Sequence, residues 1–269
     1  PSRLLDDVLA ESESHAGRAR RELVLTGVNI GQYHSKGVDL SGLIDRLETI
    51  SGIQRIRLSS IEPTTVTEPL LERMGAGRKL CPYLHVPLQS GDDAVLRAMN
   101  RPYHAGSFMS LIERALSRVS DLALGTDLMV GFPGESEGAF QQTVDVCCRL
   151  PFSYFHVFTY SRRPGTAAAK MPHDVSADVA RQRTRTLAQL SRQKRLAFAE
   201  RWIGRSVSVL FEEGQTEGLR LGTTPHFLKV GVASESALVN QTHEVTITGA
   251  SDRWAVGRLI TQEMEGTRL

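Results

Sequence analysis

Five polar or glycine-rich segments each follow a short apolar run, and these segments are the part of the sequence best suited to chemistry. They are TGVNIG (26–31), SSIEP (59–63), HVPLQSGDD (85–93), TDLMVGFPGES (126–136) and HVFTYSRRPGT (156–166). In the fourth, the apolar residues 128–130 break into Gly131-Phe132-Pro133-Gly134, which cannot continue a strand. Glycine allows a positive φ and close approach of a ligand to the main chain. A turn shaped only for packing explains this segment alone, but one shared site is the better explanation of all five.

A repeated unit of strand followed by helix must position these segments. Apolar runs begin near residues 22, 55, 83, 122 and 154, and each precedes a stretch with helical spacing of apolar residues. Five such steps predict an α/β fold with five parallel strands, arranged as an open barrel or as a doubly wound sheet. The carboxyl ends of parallel strands share one face, where such folds bind their ligands.

The last third of the chain has a different pattern. One long helical stretch, 175–203, carries far more arginine and lysine than acidic residues. A solvated face is the usual explanation of such a pattern, and a phosphate-facing helix is the alternative. From residue 204 onward, four short apolar runs alternate with glycine-containing and polar turns, which predicts a small all-β barrel. The sequence therefore predicts two domains, 1–203 and 204–269.

Composition is typical of a globular protein without a membrane span. The chain has 269 residues, a formal net charge of +2 and a pI near 8.6, and this mild basicity is compatible with a nucleic-acid partner. No apolar run approaches the roughly 20 residues that a membrane helix needs. The three cysteines, Cys81, Cys147 and Cys148, have neither disulfide-framework nor metal-site spacing. We therefore expect a reduced, cytoplasmic protein whose own residues hold no metal.

Taken in order, the five segments resemble the strand ends of the radical SAM methylthiotransferases, and the carboxyl-terminal β region resembles the TRAM domain of that family. The resemblance covers essentially the whole chain and implies a partial (βα) radical SAM barrel with parallel strands, followed by a TRAM-like RNA-binding barrel. TGVNIG, RLSSIEP, LHVPLQSG and HVFTYSRRPGT are most similar to the branch that modifies N6-threonylcarbamoyladenosine beside the tRNA anticodon. The isopentenyladenosine branch usually has Gln-Asn within the segment where this chain has 26–29, and Thr-Ser-His-Pro where it has 60–63. The ribosomal-protein branch typically has Gln-His-Ala where this chain has Gln89-Ser90-Gly91. The resemblance thus implies methylthiolation of N6-threonylcarbamoyladenosine at C2, with N6-isopentenyladenosine in tRNA as the alternative substrate.

The resemblance also implies S-adenosylmethionine as the cofactor. The turn at 131–135 would place its main chain and the Phe132 ring beside the adenine, Gln89 and Ser90 would lie near the ribose and methionine, and the turn at 26–29 near the methionyl amino and carboxylate groups. The implied cofactor-binding residues are Thr26, Gly27, Asn29, Ser60, Glu62, Gln89, Ser90, Asp127, Gly131, Phe132, Pro133, Gly134 and Glu135. Candidates for RNA contacts are Arg101, Arg162, Arg163, Arg192, Lys194 and Arg195. Surface charge is an equally good explanation for any one of these six cations.

One departure from the family bears directly on activity. Family members hold a radical-generating 4Fe-4S cluster with three cysteines spaced CxxxCxxC, and a second cluster in an amino-terminal domain; the three cysteines here match neither set. PSRLLDDVLAE resembles the segment directly after the CxxxCxxC loop, so the chain is expected to begin inside the barrel, without its first strand. In the complete protein one cluster would reduce S-adenosylmethionine to a radical that abstracts hydrogen from C2 of the adenine. The second cluster would deliver sulfur, and another S-adenosylmethionine would deliver the methyl group. We expect this polypeptide alone to be inactive, and the complete one to work as a monomer on the anticodon stem-loop of tRNA, with a reductant for its cluster.

Two other functions stay open on the sequence. The first is a cluster-free RNA-binding protein that keeps both domains as a scaffold. The second is an unrelated partial α/β barrel enzyme whose glycine-rich strand ends bind a phosphate. No residue is assigned a catalytic role.

Overall fold

The structure is a computed structural model that describes residues 2–172, 175–234 and 236–260. The chain forms two compact units, Pro1–Arg195 and Leu196–Leu269. The boundary between these units falls inside the last long helix, whereas the sequence placed a domain boundary after that helix, between residues 203 and 204. The functional division at 203 stays a prediction. Residues 1, 173–174, 235 and 261–269 of the two predicted domains lie outside the described ranges.

The first unit alternates strands and helices. Its elements are α1 (Leu5–Gly17), β1 (Glu22–Leu25), the hairpin strands β2 (His34–Ser35) and β3 (Val38–Asp39), α2 (Leu40–Glu48), β4 (Arg55–Leu58), α3 (Glu68–Gly75), β5 (Tyr83–His85), α4 (Asp93–Ala98), α5 (Ala105–Arg118), β6 (Ala123–Val130), α6 (Glu137–Arg149), β7 (Tyr154–Thr159) and α7 (Ala177–Glu200). The five predicted strands are β1 and β4 to β7, and at least one helix follows each of them. The predicted α/β architecture is confirmed.

All five of these strands run parallel. β1 pairs with β4 along its whole length, and β6 lies between β5 and β7. The isolated parallel bridges Ile56↔Leu80 and Ser60↔His85 continue the order from β4 to β5. Strand order therefore follows chain order, which is the arrangement of a (βα) barrel and not of a doubly wound sheet. Within the described ranges β1 and β7 do not pair with each other, so the barrel is open.

The two faces of this sheet have opposite character. On one face, Leu23, Ile56, Leu84, Leu124 and Phe155 pack in a single core with apolar side chains of α2, α3, α5 and α6. This packing is what holds the strands in place, since burial of apolar area is the main favourable term in folding. The opposite face, called the polar face below, carries Glu22, Arg55, Arg57, Tyr83, His85, Asp127, Tyr154 and His156.

The second unit is an all-β barrel, as predicted. Its strands β8 (Ser206–Thr216), β9 (Leu219–Thr223), β10 (Lys229–Val232), β11 (Thr242–Ala250) and β12 (Ala255–Leu259) close in the order β10-β12-β11-β8-β9, with β9 pairing back to β10. The sequence analysis missed β9. Glu217 and Gly218, both with positive φ, join it to β8 in a two-residue turn of the kind that favours tight hairpins. None of the helices in the described ranges combines the length and the apolar character that crossing a membrane requires.

Candidate functional site

The five segments singled out in the sequence lie at one end of the parallel sheet. The segments 26–31 and 59–63 follow β1 and β4 directly, and the other three contain the ends of β5, β6 and β7. Parallel strands bring these carboxyl ends to a common edge. The bridge Gln89↔Leu128 ties the segment after β5 to β6. The predicted grouping of these segments therefore follows from the strand directions alone.

A buried carboxylate holds the turn after β6. Gly131 and Gly134 have φ values of +74° and +81°, which glycine adopts without strain. The Oε2 atom of Glu135 accepts a hydrogen bond from the N–H of Gly131 at 2.6 Å, which closes the turn. Glu135 is only 3% exposed. The resemblance implied that Glu135 contacts the cofactor, but the structure uses its carboxylate inside the turn.

Arg183 of α7 holds this turn in place through hydrogen bonds. Its Nη1 donates to Oε2 of Glu135 at 2.7 Å and to the main-chain oxygen of Glu135 at 3.0 Å, and its Nη2 donates to Glu137 at 3.1 Å. The guanidinium also lies 5.2 Å from the centre of the Phe140 ring. Burial raises the pKa of Glu135, whereas the Gly131 amide and the Arg183 guanidinium favour its charged form.

The sequence analysis missed Arg183, because it counted the arginines of the long helix together as one basic face. Arg183 is 5% exposed. It lies three residues after Ala180 and four before Leu187, both buried, so it belongs to the inward stripe of α7. That spacing was the signal in the sequence which could have separated Arg183 from its solvated neighbours.

The Phe132 ring is turned inward. It is 4% exposed, packs with Val95 and Ala139, and meets the Tyr160 ring edge-on with centroids 5.3 Å apart. The ring therefore faces the protein interior, and the neighbouring Pro133 is buried as well. That the Phe132 ring lies beside the adenine stays a prediction. The open part of the turn is the main chain at Gly134, which is exposed and has no atom within 4 Å of the position a Cβ would take.

The loop after β5 presents Gln89 and conceals Ser90. Gln89 is partly exposed, has φ +69°, and both its main-chain groups bond to β6. Ser90 is 0% exposed, and its hydroxyl accepts the N–H of Asp92 at 3.2 Å and lies 3.4 Å from the Thr143 hydroxyl. The hydroxyl of Ser90 thus supports the loop from inside, and the place of Ser90 near the ribose and methionine stays a prediction.

The ends of β1 and β4 are more open. Thr26 and Gly27 are exposed, and Oδ1 of Asn29 lies 3.5 Å from the Thr65 hydroxyl. Ser60 is exposed and Glu62 is partly exposed. Arg101, predicted to contact RNA, donates to Glu62 at 3.1 Å, so two residues assigned to different ligands form one ion pair.

A chain of hydrogen bonds runs along the polar face toward these strand ends, and the sequence analysis did not foresee it. The hydroxyls of Tyr83 and Tyr154 bond to each other, the Tyr154 hydroxyl lies 3.1 Å from Nδ1 of His85, and Nε2 of His85 lies 3.1 Å from Oδ1 of Asp127. The His156 and Tyr154 rings meet edge to face, with their centroids 5.1 Å apart. β1 and β4 carry a second cluster of charged side chains, in which Arg57 makes a bidentate contact with Glu22.

The acceptor at the end of this chain sets its direction. A carboxylate only accepts, so Nε2 of His85 donates to Asp127. When His85 carries that one proton, its Nδ1 accepts from Tyr154, and Tyr154 then accepts from Tyr83. Burial raises the pKa of both tyrosines, so both hydroxyls keep their protons at neutral pH. Asp127, which the resemblance placed near the cofactor, is the member of the chain nearest the strand ends, and its side chain is 23% exposed.

The six predicted RNA contacts divide into two groups. Arg162, Arg163 and Arg192 are exposed, and Arg162 makes one long contact, 3.4 Å, to the oxygen of Met171. Lys194 instead donates to the main-chain oxygens of Cys148 and Leu150 at 2.8 and 2.9 Å, which caps the carboxyl end of α6. Arg195 lies over the Tyr154 ring, and Arg101 is paired with Glu62 as described above.

The cysteines do not fit an iron–sulfur cluster. Cys81 and Cys147 are buried, Cys148 is exposed, and burial raises the pKa of Cys81 to about 11, whereas cluster ligands are thiolates. Within the described ranges, no group of three His, Cys, Asp or Glu side chains is placed to hold a metal ion.

Residues 1–147 match the family model of the Radical SAM superfamily. The tRNA-2-methylthio-N(6)-dimethylallyladenosine synthase of Magnetococcus marinus is 38% identical to this chain, over 96% of the chain and 61% of that protein. Proteins with the same name from Zymomonas mobilis subsp. mobilis and Cereibacter sphaeroides are 35% and 36% identical, over 99% and 95% of the chain. These two alignments cover 61% and 59% of the relatives, so the chain spans about three fifths of the length of the curated relatives it matches.

Two solved structures are also similar. Coproporphyrinogen III oxidase from Escherichia coli, a radical SAM enzyme, has a TM-score of 0.48 at 20% identity and covers 73% of this chain and 46% of its own. The radical S-adenosylmethionine methyltransferase TsrM from Kitasatospora setae has a TM-score of 0.49 at 15% identity and covers 81% of this chain and 36% of its own.

Proposed function

This chain belongs to the radical SAM superfamily, and we propose that it is the greater part of a tRNA methylthiotransferase. The observation that carries the proposal is the alignment with named tRNA methylthiotransferases over 95% or more of the chain, which includes both units. An unrelated phosphate-binding barrel would not share the second unit, and a cluster-free RNA-binding protein would not need the glycine-rich strand ends.

The strand-end residues fit S-adenosylmethionine through their main chain. Gly134 offers an exposed peptide with open space beside its Cα, Thr26 and Gly27 offer exposed polar main chain for a zwitterion, and Gln89 offers a partly exposed amide. When bound, S-adenosylmethionine supplies the methyl group and the one-electron chemistry. The residues of the chain bind and orient it, and the inward-facing Phe132 and Tyr160 rings keep water from the floor of the turn.

Asp127, held by the buried His85, is partly exposed and is therefore placed to face a substrate above the sheet. Their hydrogen bond fixes which His85 nitrogen carries the proton and leaves the carboxylate as an acceptor. We propose that this end of the polar face accepts an N–H group of the substrate base. The cysteines of the described ranges do not form the site of an iron–sulfur cluster.

For the substrate we propose N6-dimethylallyladenosine in tRNA, which the names of the relatives favour. N6-threonylcarbamoyladenosine is the second candidate, and one specific observation favours it: the residues at 26–29, 60–63 and 89–91 are most similar to those of that branch. The proposed partner is the anticodon stem-loop, contacted by the second unit and by the exposed cations Arg162, Arg163 and Arg192.

Mass spectrometry of tRNA nucleosides tests the activity and the substrate together. We expect deletion of the complete gene to abolish 2-methylthio-N6-dimethylallyladenosine and to leave its unthiolated precursor, with recovery on complementation. Loss of the threonylcarbamoyl counterpart alone would move the assignment to the second candidate. Unchanged levels of both nucleosides would refute the proposed function.

Binding of tRNA tests the RNA partner separately. We expect affinity to fall with salt, and replacement of Arg162 and Arg163 together by Ala to reduce the salt slope by about 2, because each phosphate contact releases about one counterion. Replacing the exposed Arg185 by Ala is the matched control within the first unit. Deletion of residues 204–269 without loss of affinity would remove the second unit from the binding surface.

A further inference from the structure

We infer that Arg183 is a positioning residue for the cofactor turn: from α7, through Glu135 and Glu137, it holds residues 131–135 in their ligand-binding shape. This inference rests on the proposed function, because it takes S-adenosylmethionine to be the ligand of that turn. Arg183 follows the turn by 48 residues in the chain and lies beyond residues 1–147, the part that matches the family model.

The guanidinium of Arg183 makes three hydrogen bonds at the start of α6. One Nη atom donates to both the side chain and the main-chain oxygen of Glu135, which fixes the start of α6 relative to α7. The other Nη atom donates to Glu137, whose side chain is 78% exposed. A planar fork can make these contacts at once, whereas a lysine ammonium is a single point with no fork.

The carboxylate between the turn and Arg183 transmits the effect. Oε2 of Glu135 accepts from Gly131 N–H and from Arg183 at the same time, so the first residue of the turn is two hydrogen bonds away from α7. The Glu135 side chain is 0% exposed. Removing the guanidinium leaves this buried carboxyl without its counter-charge, and burial then favours its neutral form, which holds the Gly131 amide less strongly.

A role limited to stability is the alternative, because breaking any buried ion pair destabilises a fold. The two roles differ in the folded protein. A purely stabilising Arg183 lowers the unfolding temperature and leaves the ligand affinity of the folded fraction unchanged. A positioning Arg183 changes that affinity, and it changes main-chain exchange at the turn more than elsewhere.

The test uses the protein expressed from its complete reading frame, with S-adenosylmethionine as the probe. Three variants are compared: Arg183→Met, Arg183→Lys, and Arg185→Met as the matched control on the exposed side of the same helix. Equilibrium binding gives the affinity, and hydrogen exchange by mass spectrometry gives the opening of residues 131–137. If Arg183→Met does not fold, the comparison uses Arg183→Lys and Glu137→Gln. The Glu137→Gln variant keeps the contact between Arg183 and Glu135.

We expect Arg183→Met to weaken binding by about tenfold or more and to speed exchange at 131–137, because small misplacements of binding groups have large effects. Arg183→Lys should show an intermediate loss, and Arg185→Met none. Folded Arg183 variants with unchanged affinity and unchanged exchange overturn the inference. If the unchanged protein does not bind S-adenosylmethionine, the proposed function falls, and exchange at 131–137 alone decides whether Arg183 holds the turn.

Discussion

Gly91 offers the most direct test of how the loop after β5 is built. A Cβ added at Gly91 would lie 2.6 Å from the main-chain oxygen of Gln142 and 2.6 Å from Cα of Thr143. Ordinary contact begins near 3.4 Å, so about 0.8 Å must be cleared by the backbone of α6 and not by a flexible side chain. The Gly91 N–H also donates to the Thr143 hydroxyl at 2.9 Å, and the same shift lengthens that bond.

The expected effect of Gly91→Ala follows from this crowding. Overpacking of this kind costs about 1–3 kcal/mol, which for a unit of this size lowers the unfolding temperature by about 2–12 °C. Differential scanning calorimetry measures the transition of the first unit. Both tryptophans, Trp202 and Trp254, lie in the second unit, so the tryptophan fluorescence transition should stay where it is.

Gly106→Ala is the matched control. Gly106 lies in the first turn of α5 and has open space around its Cα, so alanine should be neutral or should stabilise the unit by up to about 1 kcal/mol. If the Gly91→Ala and Gly106→Ala proteins have the same unfolding temperature, the proposed close approach of this loop to α6 is refuted.

Three further outcomes are expected. Lys194→Met should destabilise the first unit by about 1–3 kcal/mol in urea titration, because the carbonyls of Cys148 and Leu150 lose their cap. Arg192 is exposed, so Arg192→Met should not destabilise the unit, and equal effects of the two variants would argue against the cap. Tyr154→Phe should cost a similar amount, about 1–3 kcal/mol, since His85 and Tyr83 lose a partner. Tyr33→Phe is its control, because the Tyr33 hydroxyl is buried with no hydrogen bond to the described residues, and a larger loss there would contradict the reasoning. In native protein at pH 8, iodoacetamide should label Cys148 alone, because Cys81 and Cys147 are buried and burial raises the pKa of Cys81 to about 11; peptide mapping that finds Cys81 alkylated before unfolding would contradict this.

The sequence was sufficient to predict main-chain architecture at the site. Apolar runs that end in polar or glycine-rich segments predicted five strands and the common edge where they end, because strand direction alone decides that grouping. The choice between barrel and doubly wound sheet needed the strand order, which depends on long-range pairing such as Ser60↔His85. β9 was missed because the Glu217-Gly218 turn is shorter than the loops that flank the other strands.

Side-chain direction was harder to predict. Phe132, Ser90 and Glu135 stand at the expected turns, yet all three point inward, because each finds a partner on a distant element: Tyr160, Thr143 and Arg183. The polar face was missed for a related reason. Its members alternate along β5, β6 and β7, but only the register between strands shows that Tyr154, His85 and Asp127 form one chain.

The contrast between the two faces of the sheet also bears on how such a scaffold changes over generations. Substitutions among the side chains that pack against the helices destabilise the fold, because a close-packed core tolerates little change in side-chain volume. Asp127 and His156 lie outside that core, and replacing them changes the hydrogen bonding of the polar face without leaving a cavity in the core. A protein with this scaffold can therefore change its substrate through a few substitutions on the polar face. The residues that pack against the helices can stay the same.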